Sequence, residues 1–211
     1  MLHIVPLVLG PVETNTYLVA DPASGEAVVI DPADAGEDIA QMAQQHGWRI
    51  VAIWVTHAHF DHIGGIPGLL ARVSPTPRVW LHPLEKPLWE RKGGAEWFGL
   101  SIGSLPNSTE ELAHGQWLTV GKIAFEVRHT PGHTPGHVVL YCAQEQVLFS
   151  GDVLFYEGIG RTDLPGGDHA ILLHSIRRQV FTLPAETRVL PGHGPETTVG
   201  YERAHNPFVR G

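Results

Sequence analysis

The sequence predicts a mixed α/β (α+β) protein arranged as a four-layer αββα sandwich, two sheets with helices on their outer faces. Three observations carry that expectation. Short runs rich in Val, Ile and Leu are divided by Gly, Pro and Ser turns, the pattern of strands. Other stretches place apolar residues three and four apart, the pattern of amphipathic helices. These segments follow one another as strands, helices, a loop, strands and a helix.

Residues 2–9, 16–20 and 26–30 read as strands of an antiparallel meander, turning at Gly10-Pro11 and Ser24-Gly25. Residues 35–46 read as a helix through Ile39, Met42 and Ala43, with Gly47 as its stop. An apolar strand over 50–55 leads into Thr56-His57, and a helix is expected over 64–73. A short strand at 79–82 and a helix at 83–91 follow, then a loop over 93–115 that carries Trp97 and Phe98. Residues 117–128 read as a hairpin turning at Gly121-Lys122. Strands at 138–142 and 146–149, a helix over 168–181 and a final strand at 188–190 complete the series.

Composition narrows the function classes. A chain of 211 residues buries enough core to fold as one domain without disulfides, and a single cysteine, Cys142, excludes an internal one. The net charge of −8 argues against a nucleic-acid partner, which would draw on clustered Lys and Arg. The first residues lack a signal-peptide pattern, and no apolar run has the length of a membrane span. The expectation is a cytoplasmic globular protein acting on a small molecule. Histidine stands out: there are 14, as many as Lys and Arg together, and histidine is the commonest metal ligand.

Placement decides what those histidines mean. Thr56-His57-Ala58-His59-Phe60-Asp61-His62 follows an apolar strand and gathers four metal-capable side chains. If strand periodicity persists, His57 and His59 share a face, while Asp61 and His62 lie in the turn. Three further candidates each end a predicted strand and follow a glycine: His133 in Thr130-Pro131-Gly132-His133, Asp152 in Ser150-Gly151-Asp152, and His193 in Pro191-Gly192-His193-Gly194. Strand ends on one rim of a sheet commonly converge on a site. Asp31, in Ile30-Asp31-Pro32, is placed either to orient a ligand imidazole or simply to form a turn. His129 and His137 are assigned to packing or supporting hydrogen bonds. His3, His46, His114, His169, His174 and His205 are assigned to the surface or the core.

The segment from His57 to His62 resembles the T-H-x-H-x-D-H signature of the metallo-β-lactamase superfamily, and His133, Asp152 and His193 follow in the superfamily's order. Within it the chain is similar to hydroxyacylglutathione hydrolases (glyoxalase II) and their shorter bacterial relatives. The likeness extends from Asn15-Thr16-Tyr17-Leu18-Val19 and Val29-Ile30-Asp31-Pro32 to Pro191-Gly192-His193-Gly194.

The resemblance implies the metallo-β-lactamase fold over residues 1–211 and two divalent transition metals. One would be held by His57, His59 and His133, the second by Asp61, His62 and His193, with Asp152 bridging. Nitrogen and oxygen donors suit Zn²⁺, and also Fe and Mn. The implied reaction is thioester hydrolysis by a metal-bound hydroxide, with Asp61 and Asp152 as catalytic residues. With 18 residues after His193, the expectation is a chain without the C-terminal helical domain that holds glutathione in full-length glyoxalase II. Arg161, in Gly158-Ile159-Gly160-Arg161-Thr162-Asp163, is placed to meet a substrate carboxylate or, equally, to pair with Asp163. Trp97 and Phe98 are candidates for a wall or lid over the metals, or for core packing.

A rival of the same fold is a persulfide dioxygenase, with one iron on His57, His133 and Asp152. A β-lactamase is disfavoured because such enzymes typically carry cysteine at the position of Asp152. A closed structural zinc site is disfavoured because seven nitrogen and oxygen donors without cysteine exceed what it needs.

Overall fold

Alternating apolar positions near the amino terminus build three antiparallel strands, β1 (His3–Leu9), β2 (Thr14–Asp21) and β3 (Glu26–Ile30). The computed structural model describes residues 1–211, which divide into two compact units. One comprises Met1–Leu112 with Thr119–Ile123, the other Ala113–Leu118 with Ala124–Gly211.

In the first unit, helix α1 (Gly36–Gln45) carries the chain from β3 to β4 (Arg49–Trp54), which runs parallel to β3. Parallel neighbours require such a crossover. Glu37 and Asp38 lie in the helix's first turn, where they complement its dipole, and Gly47 follows its end at φ 71°. Two short helices, α2 (Phe60–Ile63) and α3 (Ile66–Arg72), precede β5 (Arg78–Leu81). A 3₁₀ turn (Pro83–Glu85) and α4 (Lys86–Glu90) follow, and β6 (Glu110–Glu111) closes the six-stranded sheet, whose strands lie in sequence order. Leu18, Val29 and Ile53 of the strands pack with Ile39 of α1 and Ile66 and Leu69 of α3 in one buried cluster. Tyr17, Val28, Ile30 and Trp54, on the opposite face, are buried as well.

The second sheet is ordered β14-β13-β10-β9-β8-β7. Its strands are β7 (Trp117–Val120), β8 (Ile123–His129), β9 (Val138–Cys142), β10 (Val147–Gly151), β13 (Arg188–Pro191) and β14 (Thr197–Thr198). A separate ribbon pairs β11 (Leu154–Phe155) with β12 (Gly158–Ile159). Helix α5 (His169–Ser175) makes the crossover between the parallel strands β10 and β13, and is capped by Asp168, whose carboxylate accepts from the Ile171 amide at 3.0 Å. Thr198 caps α6 (Val199–His205) in the same way. Val139, Leu148 and Val189 of the sheet bury against Leu172, Ile176 and Val199 of the helical segments.

The mixed α/β class with two sheets and flanking helices is the one expected, and several details differ. The helix expected over 64–73 begins earlier, as α2 inside the histidine motif, and breaks before α3. Residues 83–91 divide into the 3₁₀ turn and α4. The segment read as a loop contains 3₁₀ turns within Lys92–Phe98, kinked at Gly93-Gly94, as well as β6. The helix expected over 168–181 loosens to a π turn at Ile176–Val180, and β14 and α6 lie beyond the strand expected to be last. No helix is long and apolar enough to cross a membrane.

Candidate metal centre

In the first unit, strand β4 ends at Trp54, and the chain from Val55 to His59 is an extended loop. His57 and His59 therefore do not continue the strand. Their positions come from hydrogen bonds instead. Asp31, at φ 49°, accepts the Thr56 amide on Oδ1 at 2.7 Å and the Thr56 hydroxyl on Oδ2 at 2.6 Å. The same Oδ2 lies 2.9 Å from Nδ1 of His62. One buried carboxylate thus fixes both ends of the motif, which assigns Asp31 to orienting an imidazole rather than to a turn alone.

Between those ends, the Ala58 amide donates to Oε2 of Glu85 at 2.8 Å. The Thr14 hydroxyl donates to Oδ2 of Asp61 at 3.0 Å. The rings of His57 and His59 meet edge to face with centroids 4.9 Å apart, and those of His57 and His62 are 4.1 Å apart. One ligand atom each from Asp31, His57 and His62 lies within 4.8 Å of the others. Nε2 of His62 is 3.5 Å from Oδ2 of Asp61.

In the second unit, His133 sits in the loop after β8, and its Nδ1 donates to the Arg161 carbonyl at 2.7 Å. Gly132 adopts φ 132°, and a side chain there would collide with the Leu172 backbone of α5. Its carbonyl accepts the Asp168 amide at 2.7 Å, so the loop is seated on the start of that helix. Asp152 follows β10, and its amide donates to Nε2 of His137 at 3.1 Å. That bond fixes the neutral His137 tautomer with its proton on Nδ1, beside the Thr130 hydroxyl at 3.2 Å. His193 follows β13, tied through the Gly192 amide to the Gly151 carbonyl at 2.9 Å. Nε2 of His133 and Nε2 of His193 each lie 3.6 Å from the same atom, Oδ2 of Asp152.

These distances have a coordination meaning. Two ligands about 2.1 Å from a tetrahedral cation are about 3.4 Å apart. The separations of 3.5 and 3.6 Å between imidazole nitrogens and carboxylate oxygens are edges of that size. In His62 and His133, Nδ1 is engaged with an oxygen, which turns Nε2 towards the carboxylate, as bound histidines usually are. His57, His59, His62, His133 and Asp152 are buried, while Asp61 and His193 are half-buried. The sole cysteine, Cys142, is buried in β9, and burial raises its thiol pKa. The donor set is accordingly nitrogen and oxygen, which fits Zn²⁺, Fe or Mn.

Arg161 has a different emphasis from the one its sequence suggests. Its guanidinium closes on Asp163 through two bonds of 2.8 and 2.6 Å, and this pairing holds the Asp163 carboxyl down at about 2. Its carbonyl, not its charge, reaches His133. Trp97 folds under Arg91, whereas Phe98 is exposed and leans on Phe60 with centroids 5.4 Å apart. Glu85 and Thr14 carried no signal in the sequence, because each acts on a residue far along the chain. His137 supports Asp152 through its amide, and the six histidines assigned to the surface or the core are all exposed.

The family model described as the metallo-beta-lactamase superfamily matches residues 9–193, a span that holds every candidate ligand. The chain belongs to the metallo-β-lactamase superfamily. Curated relatives in this superfamily span nearly its whole length. The probable metallo-hydrolase YqgX of Bacillus subtilis is 40% identical, over 96% of this chain and 95% of that protein. Hydroxyacylglutathione hydrolase GloC of Haemophilus influenzae is 34% identical, over 93% of each. Among solved structures, the BLEG-1 B3 metallo-beta-lactamase superposes with a TM-score of 0.91 at 41% identity, covering 99% of this chain and 100% of that one. TTHA1623 in a di-iron-bound form superposes at 0.88 with 43% identity, covering 97% and 99%. The metallo-β-lactamase fold is therefore established, and the donor set is consistent with a dinuclear centre.

Proposed function

We propose that this member of the superfamily is a dinuclear hydrolase of small-molecule thioesters, of the hydroxyacylglutathione class. The observation that supports the dinuclear part is that Oδ2 of Asp152 lies 3.6 Å from both the His133 and His193 imidazoles, so that its carboxylate would be shared by cations held on either side. His57, His59 and His133 would hold one cation, and Asp61, His62 and His193 the other. When bound, such cations supply Lewis acidity and a water deprotonated near neutral pH.

The chain's own residues do the positioning. Asp61, steadied by the Thr14 hydroxyl, is the carboxylate that accepts a hydrogen bond from the attacking water. Asp31 and the Arg161 carbonyl keep the His62 and His133 rings from turning. A thioester suits this arrangement because a leaving thiol has a pKa of about 8.5 and needs little protonation. No free general acid is then required, and the Arg161 guanidinium can remain on Asp163. The name of GloC supports the thioester class, whereas that of BLEG-1 points to β-lactams and the di-iron form of TTHA1623 keeps iron in play.

Elemental analysis combined with a substrate screen tests the reading. Two equivalents of metal and turnover of a hydroxyacylglutathione are expected. Asp152→Ala should lower both metal affinity and turnover by more than about 100-fold, since losing only a supporting partner already costs about 10–100-fold. Turnover of β-lactams alone would replace the substrate class. A single iron with oxygen uptake on glutathione persulfide would replace the reaction.

A further inference from the structure

A glutamate remote in sequence from every proposed ligand reaches into the middle of the histidine motif. Glu85, at the end of the 3₁₀ turn after β5, is fully buried, and its Oε2 accepts the amide of Ala58 at 2.8 Å. Ala58 separates His57 from His59, so this amide is the point about which both imidazoles are aimed. The bond is not part of a regular ladder, because the chain has already left β4. A buried amide must find an acceptor, and here a side chain supplies it.

The segment after Glu85 touches the same loop again. Gly93, at φ 68°, lies against it so closely that a Cβ would strike the Phe60 backbone and come within 2.7 Å of the Ala58 carbonyl. Ala58 is thereby held at its N–H by Glu85 and closely approached by Gly93 on the side of its C=O. Asp31 fixes the motif's ends at Thr56 and His62. The Glu85 and Gly93 contacts bear on its centre.

We infer that Glu85 is a positioning residue for the His57–His59 pair, setting the affinity of one cation through the Ala58 amide. This inference rests on the metal-binding reading above. What matters is the reach of the acceptor, so shortening the side chain by one methylene should do harm that replacing its charge does not.

The test compares Glu85→Asp, Glu85→Gln and Glu85→Leu with the parent by zinc titration against a chelator, together with thermal unfolding of the metal-free proteins. The parent should bind two zinc ions; if it binds none, the metal-binding reading itself fails. With that established, Glu85→Asp should weaken one of the two sites by about 10–100-fold, the usual cost of losing a supporting partner. Glu85→Gln, which retains an oxygen at full reach, should stay within a few-fold of the parent. Glu85→Leu should behave like Glu85→Asp if it folds, and the other two variants decide the matter if it does not. Parental zinc affinity in Glu85→Asp would overturn the inference. So would equal losses in Glu85→Asp and Glu85→Gln, which would assign the effect to charge, or a lowered metal-free Tm with both affinities intact, which would leave a purely structural role.

Discussion

At the scale of single residues, the aspartates around the candidate centre divide into those that would face a cation and those that hold the imidazoles beside them. Asp31 belongs to the second group. It accepts three donors from Thr56 and His62 with two oxygens, and pays for that geometry with a left-handed backbone. Asparagine at this position keeps one acceptor oxygen and turns an amide donor towards the rest. Asp31→Asn is therefore expected to weaken metal binding by about 10–100-fold, read by chelator competition, while the far-UV spectrum stays that of the parent. The family motif made the candidate ligands legible from sequence, because metal chemistry depends on side-chain type. It did not expose Thr14 or Glu85, whose types are ordinary and whose partners lie 47 and 27 residues away.

At the scale of elements, ligands stand on turns that follow strands, and glycines make those turns possible. Gly132 shows the reason most directly. Its φ of 132° and its closeness to Leu172 leave no room for a side chain where the His133 loop meets α5. Gly132→Ala should cost on the order of 1–3 kcal/mol for the backbone conformation alone and also lower metal content, measured by denaturant unfolding and elemental analysis. The Gly121-Lys122 turn gives a second case. The Lys122 amide donates to Asp21 at 3.1 Å, and this bond leads the causes that lower the Asp21 pKa. A depressed carboxylate contributes stability above its unfolded pKa and loses it as pH falls through the folded one. Asp21→Asn should therefore lower Tm at pH 7, with the gap to the parent closing as the medium becomes strongly acidic. Most strands and the first helix could be read from periodicity. The break between α2 and α3 falls at Gly64-Gly65, where the Gly65 amide donates to the Pro32 carbonyl at 2.8 Å, a contact that periodicity does not show.

At the scale of the whole molecule, metal binding and stability are linked. A cation bound only by the folded state at about 1,000 times its Kd adds about 4.1 kcal/mol, and in a chain of this size each kcal/mol shifts Tm by roughly 2–4 °C. Stripping the metal with a chelator should lower Tm by roughly 8–16 °C, and zinc should restore it. An unchanged Tm would mean that the folded chain binds metal no better than the unfolded one. By itself the sequence determined the α/β class and the family, and it named the candidate donors, because periodicity, turn glycines and ligand chemistry are all local properties. Tertiary structure alone decided which nitrogen of His62 and His133 is turned towards a neighbouring carboxylate, that the Arg161 fork closes on Asp163, and that Glu85 holds the motif's centre. The His62, His133 and Glu85 contacts join residues 27 to 31 positions apart, and a hydrogen bond across that distance exists only once the chain has folded to bring donor and acceptor together.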